Sequence, residues 1–385
     1  MKVCILTFAV TNNYGATLQC YALSKFIQQQ GHETMILNVP LQKAGALRAK
    51  GSLWKRVKGR FKRTFNIVSE NTRYPRNPKQ IKQDSMFADK NMVLFDQFRE
   101  KYFDNLTHEY INEEDFEKDY PKADLYIVGS DQVWNVWVTN YQYPIFFFSF
   151  IKHACRRISY AACMGGNTNF KFTNDEISKI SLLLSKFDSI SVRDKTGIDI
   201  LKNRFDVSAL QVLDPTFLID SYDELLKDSS IDASNCMFNF KFIINDAWVE
   251  VIKTIAGDLN LKIRMDTCLI PIDGLPFHPL CGVQDWLKLI KTADFIFTDS
   301  FHGMVFCILF RKQFIATPSY KGGEERYFDL ASKFGLEDRV FTTVSDVKKS
   351  KAWHKRIDYD KVYEKMGPLR NASRNYLIKQ LSTLR

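Results

Sequence analysis

The amino-acid sequence predicts an α/β protein built from two Rossmann-like units facing each other. Three observations carry this. Apolar strand-like runs alternate with amphipathic helical ones along the chain. The alternation restarts after Leu213-Asp214-Pro215. The 385 residues also suit two domains at roughly 100–200 residues each.

The first unit opens with a buried-type strand over 2–9, a polar loop at Thr11–Gly15 and a helix over 16–30. In that helix Leu18, Ala22 and Phe26 share one face, and Gly31 stands in C-cap position. A strand over 33–39 follows. A β-loop-α-β opening predicts a parallel sheet. Next come a loop at 74–78, a helix over 89–102 and a strand over 124–128 that runs into Gly129-Ser130-Asp131-Gln132. Strands over 157–162 and 189–192 flank a helix over 174–186. The second unit reads as a strand over 238–244, helix 248–259, strand 261–265, helix 284–291, strand 294–297, helix 302–310 and strand 313–316. From 360 the chain is helical and charged. The expected domains are 1–210, 211–345 and a C-terminal segment, 346–385, packing back on the first.

Hydrophobic residues make up 45% and charged residues 25%, a globular composition that excludes wholesale disorder. No apolar run approaches the roughly 18–20 residues that span a bilayer. The N-terminus lacks a signal-peptide layout. Eight cysteines stand without CxxC pairing, so free thiols in a reducing, cytoplasmic setting are expected. The net charge is +10, yet residues 34–69 hold nine Lys or Arg and no acid. Nearly all the excess lies in that one segment. There Trp54, Val57, Phe61 and Phe65 recur at helical spacing among Lys55, Arg56, Lys58, Arg60 and Lys62, a basic amphipathic helix. It reads either as a surface helix packed on its own domain or as a membrane-surface anchor over 48–65. No nucleic-acid motif accompanies it.

Ligands of open α/β sheets bind beyond the carboxyl ends of strands, which singles out four loops. Thr11–Gly15 precedes a helix without GxGxxG; it is either an anion-receiving turn or a βα turn with an Asn cap. In Gly129-Ser130-Asp131, Asp131 is a candidate acid or base, or a helix cap. In Ser191-Val192-Arg193-Asp194, Arg193 clamps an anion or pairs with Asp194. Thr298-Asp299-Ser300-Phe301-His302-Gly303 runs from a strand into an apolar helix. It places a His at a helix N-terminus, where it can meet a phosphate or move a proton. The six histidines show neither HxxxH nor HExxH spacing, so no metal site is expected, and without GxSxG no serine hydrolase is.

Taken together, Thr11-Asn12-Asn13-Tyr14-Gly15-Ala16-Thr17-Leu18-Gln19, Val128-Gly129-Ser130-Asp131-Gln132-Val133-Trp134-Asn135, Ser191–Asp194, Leu213-Asp214-Pro215-Thr216 and Thr298–Gly303 resemble, in this order, the polysaccharide pyruvyl transferase family. Gly323-Glu324-Glu325-Arg326 and Gly335-Leu336-Glu337-Asp338-Arg339 are similar to it as well. The resemblance implies a fold similar to GT-B glycosyltransferases with the site in the cleft. It implies transfer of a pyruvyl group from phosphoenolpyruvate, as co-substrate and with no further cofactor, to a saccharide of a surface polysaccharide or its lipid-linked precursor. Members carry Arg-Leu-His where this chain has Ser300-Phe301-His302, so the His matches and the Arg does not. Arg193, Lys321 or Arg326 is left to supply that charge. On this reading His302, Asp131 and Arg193 are catalytic. Asn12, Asn13, Tyr14, Gly15, Ser130, Ser300, Gly303, Lys321 and Arg326 bind substrate. A nucleotide-sugar glycosyltransferase and a non-catalytic sugar-binding member are the alternatives.

Overall fold

The computed structural model of the chain describes residues 1–41, 92–165, 172–241, 244–266, 272–278, 281–318 and 323–383. The basic segment with its expected helix, the 74–78 loop and Lys321 lie outside these.

Strands β1 (Lys2–Leu6), β2 (Glu33–Asn38), β3 (Leu106–Glu109), β4 (Leu125–Val128) and β5 (Arg156–Ser159) form one sheet in the order β3-β2-β1-β4-β5. All its pairings are parallel. Val3–Leu6 is buried at every residue, as a parallel strand covered on both faces requires. Bridges Ile158 to Ser189 and Ala162 to Val192 carry the sheet on to β6 (Ser191–Val192) and β7 (Leu210–Gln211). The second sheet orders β8 (Cys236–Phe240), β9 (Lys262–Met265), β10 (Phe295–Thr298) and β11 (Gln313–Ala316) as β11-β10-β8-β9, again parallel.

Both sheets reverse direction of growth once, between β1 and β4 and between β8 and β10, and the strand ends at these switch points are where an α/β sheet opens a crevice. The elements that frame it are α1 (Tyr14–Gln29), α2 (Lys195–Phe205), α3 (Phe301–Leu309), α4 (Glu325–Phe334) and α5 (Tyr359–Ser382).

Several boundaries differ from expectation for local reasons. The first strand stops at Leu6 rather than 9 because Phe8–Thr11 turns, with the Thr11 hydroxyl donating to the Phe8 carbonyl at 2.9 Å. α1 starts at Tyr14 because Asn13 accepts from the Ala16 amide at 3.1 Å and caps it. The strand expected over 238–244 runs Cys236–Phe240. β3, of sequence LTHE and half exposed at best, has no apolar alternation to betray it.

The two sheets are not separated by a dry gap in the core. One apolar cluster runs from Leu18 and Leu23 of α1 to Phe217, Trp286 and Phe306. Tyr14 stacks on Trp286 with centroids 5.0 Å apart and donates its hydroxyl to the Cys281 carbonyl at 2.6 Å. α5 binds the segment between the sheets: Ser373 accepts from the Leu213 amide at 2.9 Å, Arg370 donates to the Phe217 carbonyl at 2.6 Å and Arg374 to the Leu218 carbonyl at 2.7 Å. Its end reaches the first sheet, where Arg156 donates to the Gln380 carbonyl at 2.7 Å. Among the described residues no helix is long and apolar enough to cross a membrane, and the cysteines are unpaired.

Candidate active site

The carboxyl ends of β4, β6 and β7 open on one crevice, with the continuation of β5 between β4 and β6, so Ser130, Arg193 and Asp214, far apart in sequence, become neighbours. Asp214 is the meeting point. Its Oδ1 accepts from the Thr216 amide at 3.0 Å and the Thr216 hydroxyl at 2.8 Å. Its Oδ2 accepts from Ser130 Oγ at 3.0 Å and from Arg193 Nη1 at 3.0 Å. From the other sheet, His302 Nε2 stands 3.4 Å from the same Oδ2, an ion-pair contact without an aligned hydrogen bond. Burial by itself would raise the Asp214 carboxyl, but His302 and Arg193 outweigh it and hold the group well below the usual carboxylate range.

Arg193 is 5% exposed. It pairs with Asp214, not with the adjacent Asp194, which instead caps α2 by accepting from the Gly197 amide at 2.9 Å. Burial works against its charge, and the carboxylates of Asp214, Asp131 and Asp194 around it outweigh that, so the guanidinium stays protonated. It lies 4.5 Å over the Phe301 ring, which Arg326 also approaches at 5.5 Å. Its Nε and Nη2 are buried with no hydrogen-bond partner among the described residues, beside a small cavity lined by Asp214, Phe301, Arg326, Asp329 and Lys333.

Gly15 seats His302, and Gly303 sets the start of its helix. A Cβ on Gly15 would fall 2.0 Å from His302 Nδ1, so α1 lays its first turn directly on the imidazole. A Cβ on Gly303 would fall 2.5 Å from Thr298 Oγ1, so only Gly lets α3 start this close to the strand end. Ser300 caps α3, its Oγ accepting from the Gly303 amide at 3.1 Å.

Other expected site residues are placed differently. Tyr14 is buried in the contact between the sheets and is not a cleft residue. Gly15 and Gly303 make room for their neighbours. Asn13 is the α1 cap, and Asn12 accepts from Arg99 Nη2 at 3.2 Å. Asp131 is not a helix cap: Asn135 caps the following turn, while Asp131 accepts from the Gln132 amide at 2.8 Å. Its φ of 73° is left-handed, a conformation non-glycine residues keep chiefly where the surroundings enforce it.

Two residues escaped the sequence reading as site residues. Asp214 was legible only as part of a motif. Lys241, just past β8, is 2% exposed. It donates to Thr317 Oγ1 at 2.8 Å and faces Asp299 Oδ2 at 3.6 Å across the switch point of the second sheet. Burial lowers its pKa, and Asp299 opposes that. A lysine inside the apolar run Phe238–Ile244 was the available signal.

A family model for polysaccharide pyruvyl transferase matches residues 13–319. No curated protein matches the chain. Among solved structures, a Listeria monocytogenes protein described as a UDP-N-acetylglucosamine 2-epimerase is similar with TM-score 0.54 at 10% identity, over 98% of this chain and 94% of that one. The UDP-GlcNAc 2-epimerase of Neisseria meningitidis, solved with UDP-GlcNAc, gives 0.50 at 12% identity over 100% of both chains. Identities this low bear on the fold alone, which is the GT-B type with two Rossmann-like units. The family match covers every loop that converges on Asp214, and by it the chain belongs to the polysaccharide pyruvyl transferase family, a family of transferases.

Proposed function

We propose that this protein transfers a pyruvyl group from phosphoenolpyruvate to a saccharide acceptor and closes it as a cyclic ketal. The observation that carries the reading is the buried pair Arg193 and His302 facing one carboxylate, with two Arg193 nitrogens unpartnered among the described residues. Arg193 keeps its charge in this buried setting, and a planar guanidinium is suited to the phosphate or carboxylate of an anionic donor. Arg193 stands in for the arginine that Ser300 replaces, and Arg326 adds charge across Phe301.

The chemistry follows from the donor. Protonation of the enol methylene makes a methyl group and leaves the adjacent carbon cationic. A sugar hydroxyl adds to that carbon and loses its proton to a base. Phosphate then departs with the electrons of its C–O bond, and a second hydroxyl of the acceptor closes the ketal, its proton leaving with phosphate. His302 supplies the acid step, Arg193 holds the donor's anionic groups, and Asp131 takes the hydroxyl proton on the acceptor side. The acceptor is a surface polysaccharide or its lipid-linked precursor; with the latter, the basic segment over 48–65 would dock a cytoplasmic enzyme on an anionic membrane face.

Calorimetric titration with phosphoenolpyruvate, beside UDP-GlcNAc as the competing donor, tests this. Saturable phosphoenolpyruvate binding that weakens at least tenfold in Arg193→Lys is the expected result. Binding of UDP-GlcNAc alone would replace it with the nucleotide-sugar glycosyltransferase reading. Full transfer activity in both His302→Ala and Asp131→Asn would remove the assigned roles.

A further inference from the structure

We propose that Asp214 is a positioning residue that fixes a proton on Nε2 of His302 and leaves Nδ1, beside Gly15, as the nitrogen that exchanges a proton in the reaction. The assignment of Nε2 rests on geometry alone; only its use in turnover rests on the pyruvyl-transfer reading.

His302 Nε2 is buried and faces Asp214 Oδ2 at 3.4 Å. An ionised carboxylate is acceptor-only, and an imidazole nitrogen is either donor or acceptor. Two bare lone pairs facing each other in a buried site repel, and no water is needed to see which arrangement relieves this: the proton must lie on Nε2. Asp214 does not take that proton itself. Its Oδ1 is occupied by two donors from Thr216 and its Oδ2 by Ser130 and Arg193, which stabilise the charged form.

The other groups facing the ring push the opposite way. His302 is the second residue of α3, and the first turn of α1 lies against Nδ1. Both helix N-termini carry positive potential. Arg193, through its bond to the same carboxylate, adds a full charge. Asp299, next to Ser300, is turned toward Lys241 at 3.6 Å. Asp214 is therefore the carboxylate that sets the imidazole proton. The residues around it come from separate loops, with Ser130 after β4, Arg193 after β6 and Asp214 after β7, so a constellation this specific is more than one local turn would need.

Nitrogen-15 NMR of the imidazole decides it in the wild-type protein, with His302→Gln identifying the resonance. The neutral-ring signature is expected to place the proton on Nε2. A proton on Nδ1 with Nε2 bare would overturn the proposal with no variant or substrate involved. In Asp214→Asn, where an amide can donate to Nε2, the proton is expected to move to Nδ1, and kcat to fall by about 10²-fold or more with a smaller change in KM. Asp214→Glu restores part of the rate. An unchanged nitrogen pattern in folded Asp214→Asn would also sink it. A correct nitrogen pattern without any pyruvyl transfer would instead overturn the reaction and leave the role of Asp214 standing.

Discussion

Gly15 has no side chain where His302 needs the space, and this single absence couples the first loop of the chain to the last motif. Alanine there would drive a methyl to 2.0 Å from Nδ1, closer than any relaxed contact, and the neighbour that must yield is the imidazole. Gly15→Ala is expected to cut transfer activity at least tenfold while costing about 1–3 kcal/mol of stability. Rate measurement beside thermal denaturation checks both; an active Gly15→Ala would mean that the ring position is not critical. The same reasoning separates roles that the sequence could only pool. Within Thr11–Gly15, Asn13 caps α1, Asn12 accepts from Arg99 and Tyr14 stacks on Trp286.

Helix α1 does more at its first turn than begin a βα unit. Tyr14 leaves the helix toward the second sheet, where its ring lies within 5° of parallel to Trp286 and 5.6 Å from Phe240, while Phe95 of the first unit backs it at 5.1 Å. The turn that presents Gly15 to His302 is thus pinned one residue earlier. Tyr14→Phe is expected to cost about 1 kcal/mol through the Cys281 carbonyl it leaves unpaired. Tyr14→Ala should cost about 3–5 kcal/mol and lower activity as well, because the pin and the site share a turn. Urea denaturation of both variants measures this, and equal midpoints for the two would show that the ring does not contribute. β6 falls within the strand expected over 189–192, whereas β7, two exposed residues, was beyond any periodicity argument, yet the two set Arg193 and Asp214 next to Ser130.

Across the whole molecule, the site lies where two sheets meet, and its central carboxylate belongs to the segment that joins them. Asp214 is ionised in the fold well below its ordinary range, so its contribution is full above the unfolded carboxylate value of about 4. That contribution is lost as pH falls through the depressed value. Asp214→Asn is expected to lose about 3–5 kcal/mol near pH 7, since it leaves Arg193 buried without its charge partner. The gap to wild type should narrow below pH 4. Denaturation midpoints across pH 3–8 check this, and a gap that stays constant would show that the carboxylate charge is not what holds the junction. α5 supports the same junction by bonding the Phe217 and Leu218 carbonyls.

Fold class and family were legible in the sequence because both are local patterns: strand and helix periodicities differ, and each motif is a contiguous strand-end loop. His302 and Arg193 could be picked out for the same reason, as polar residues directly after apolar strands. What touches them could not. That Arg193 pairs with Asp214 rather than its neighbour Asp194, that Gly15 is a seat for His302, and that Lys241 fills the switch point of the second sheet all depend on which strand ends lie adjacent. Strand order is decided by parallel crossovers that pack helices on both faces of each sheet. Side-chain periodicity records which face is buried, not which strand lies beside it, and so only the tertiary structure could bring these residues together.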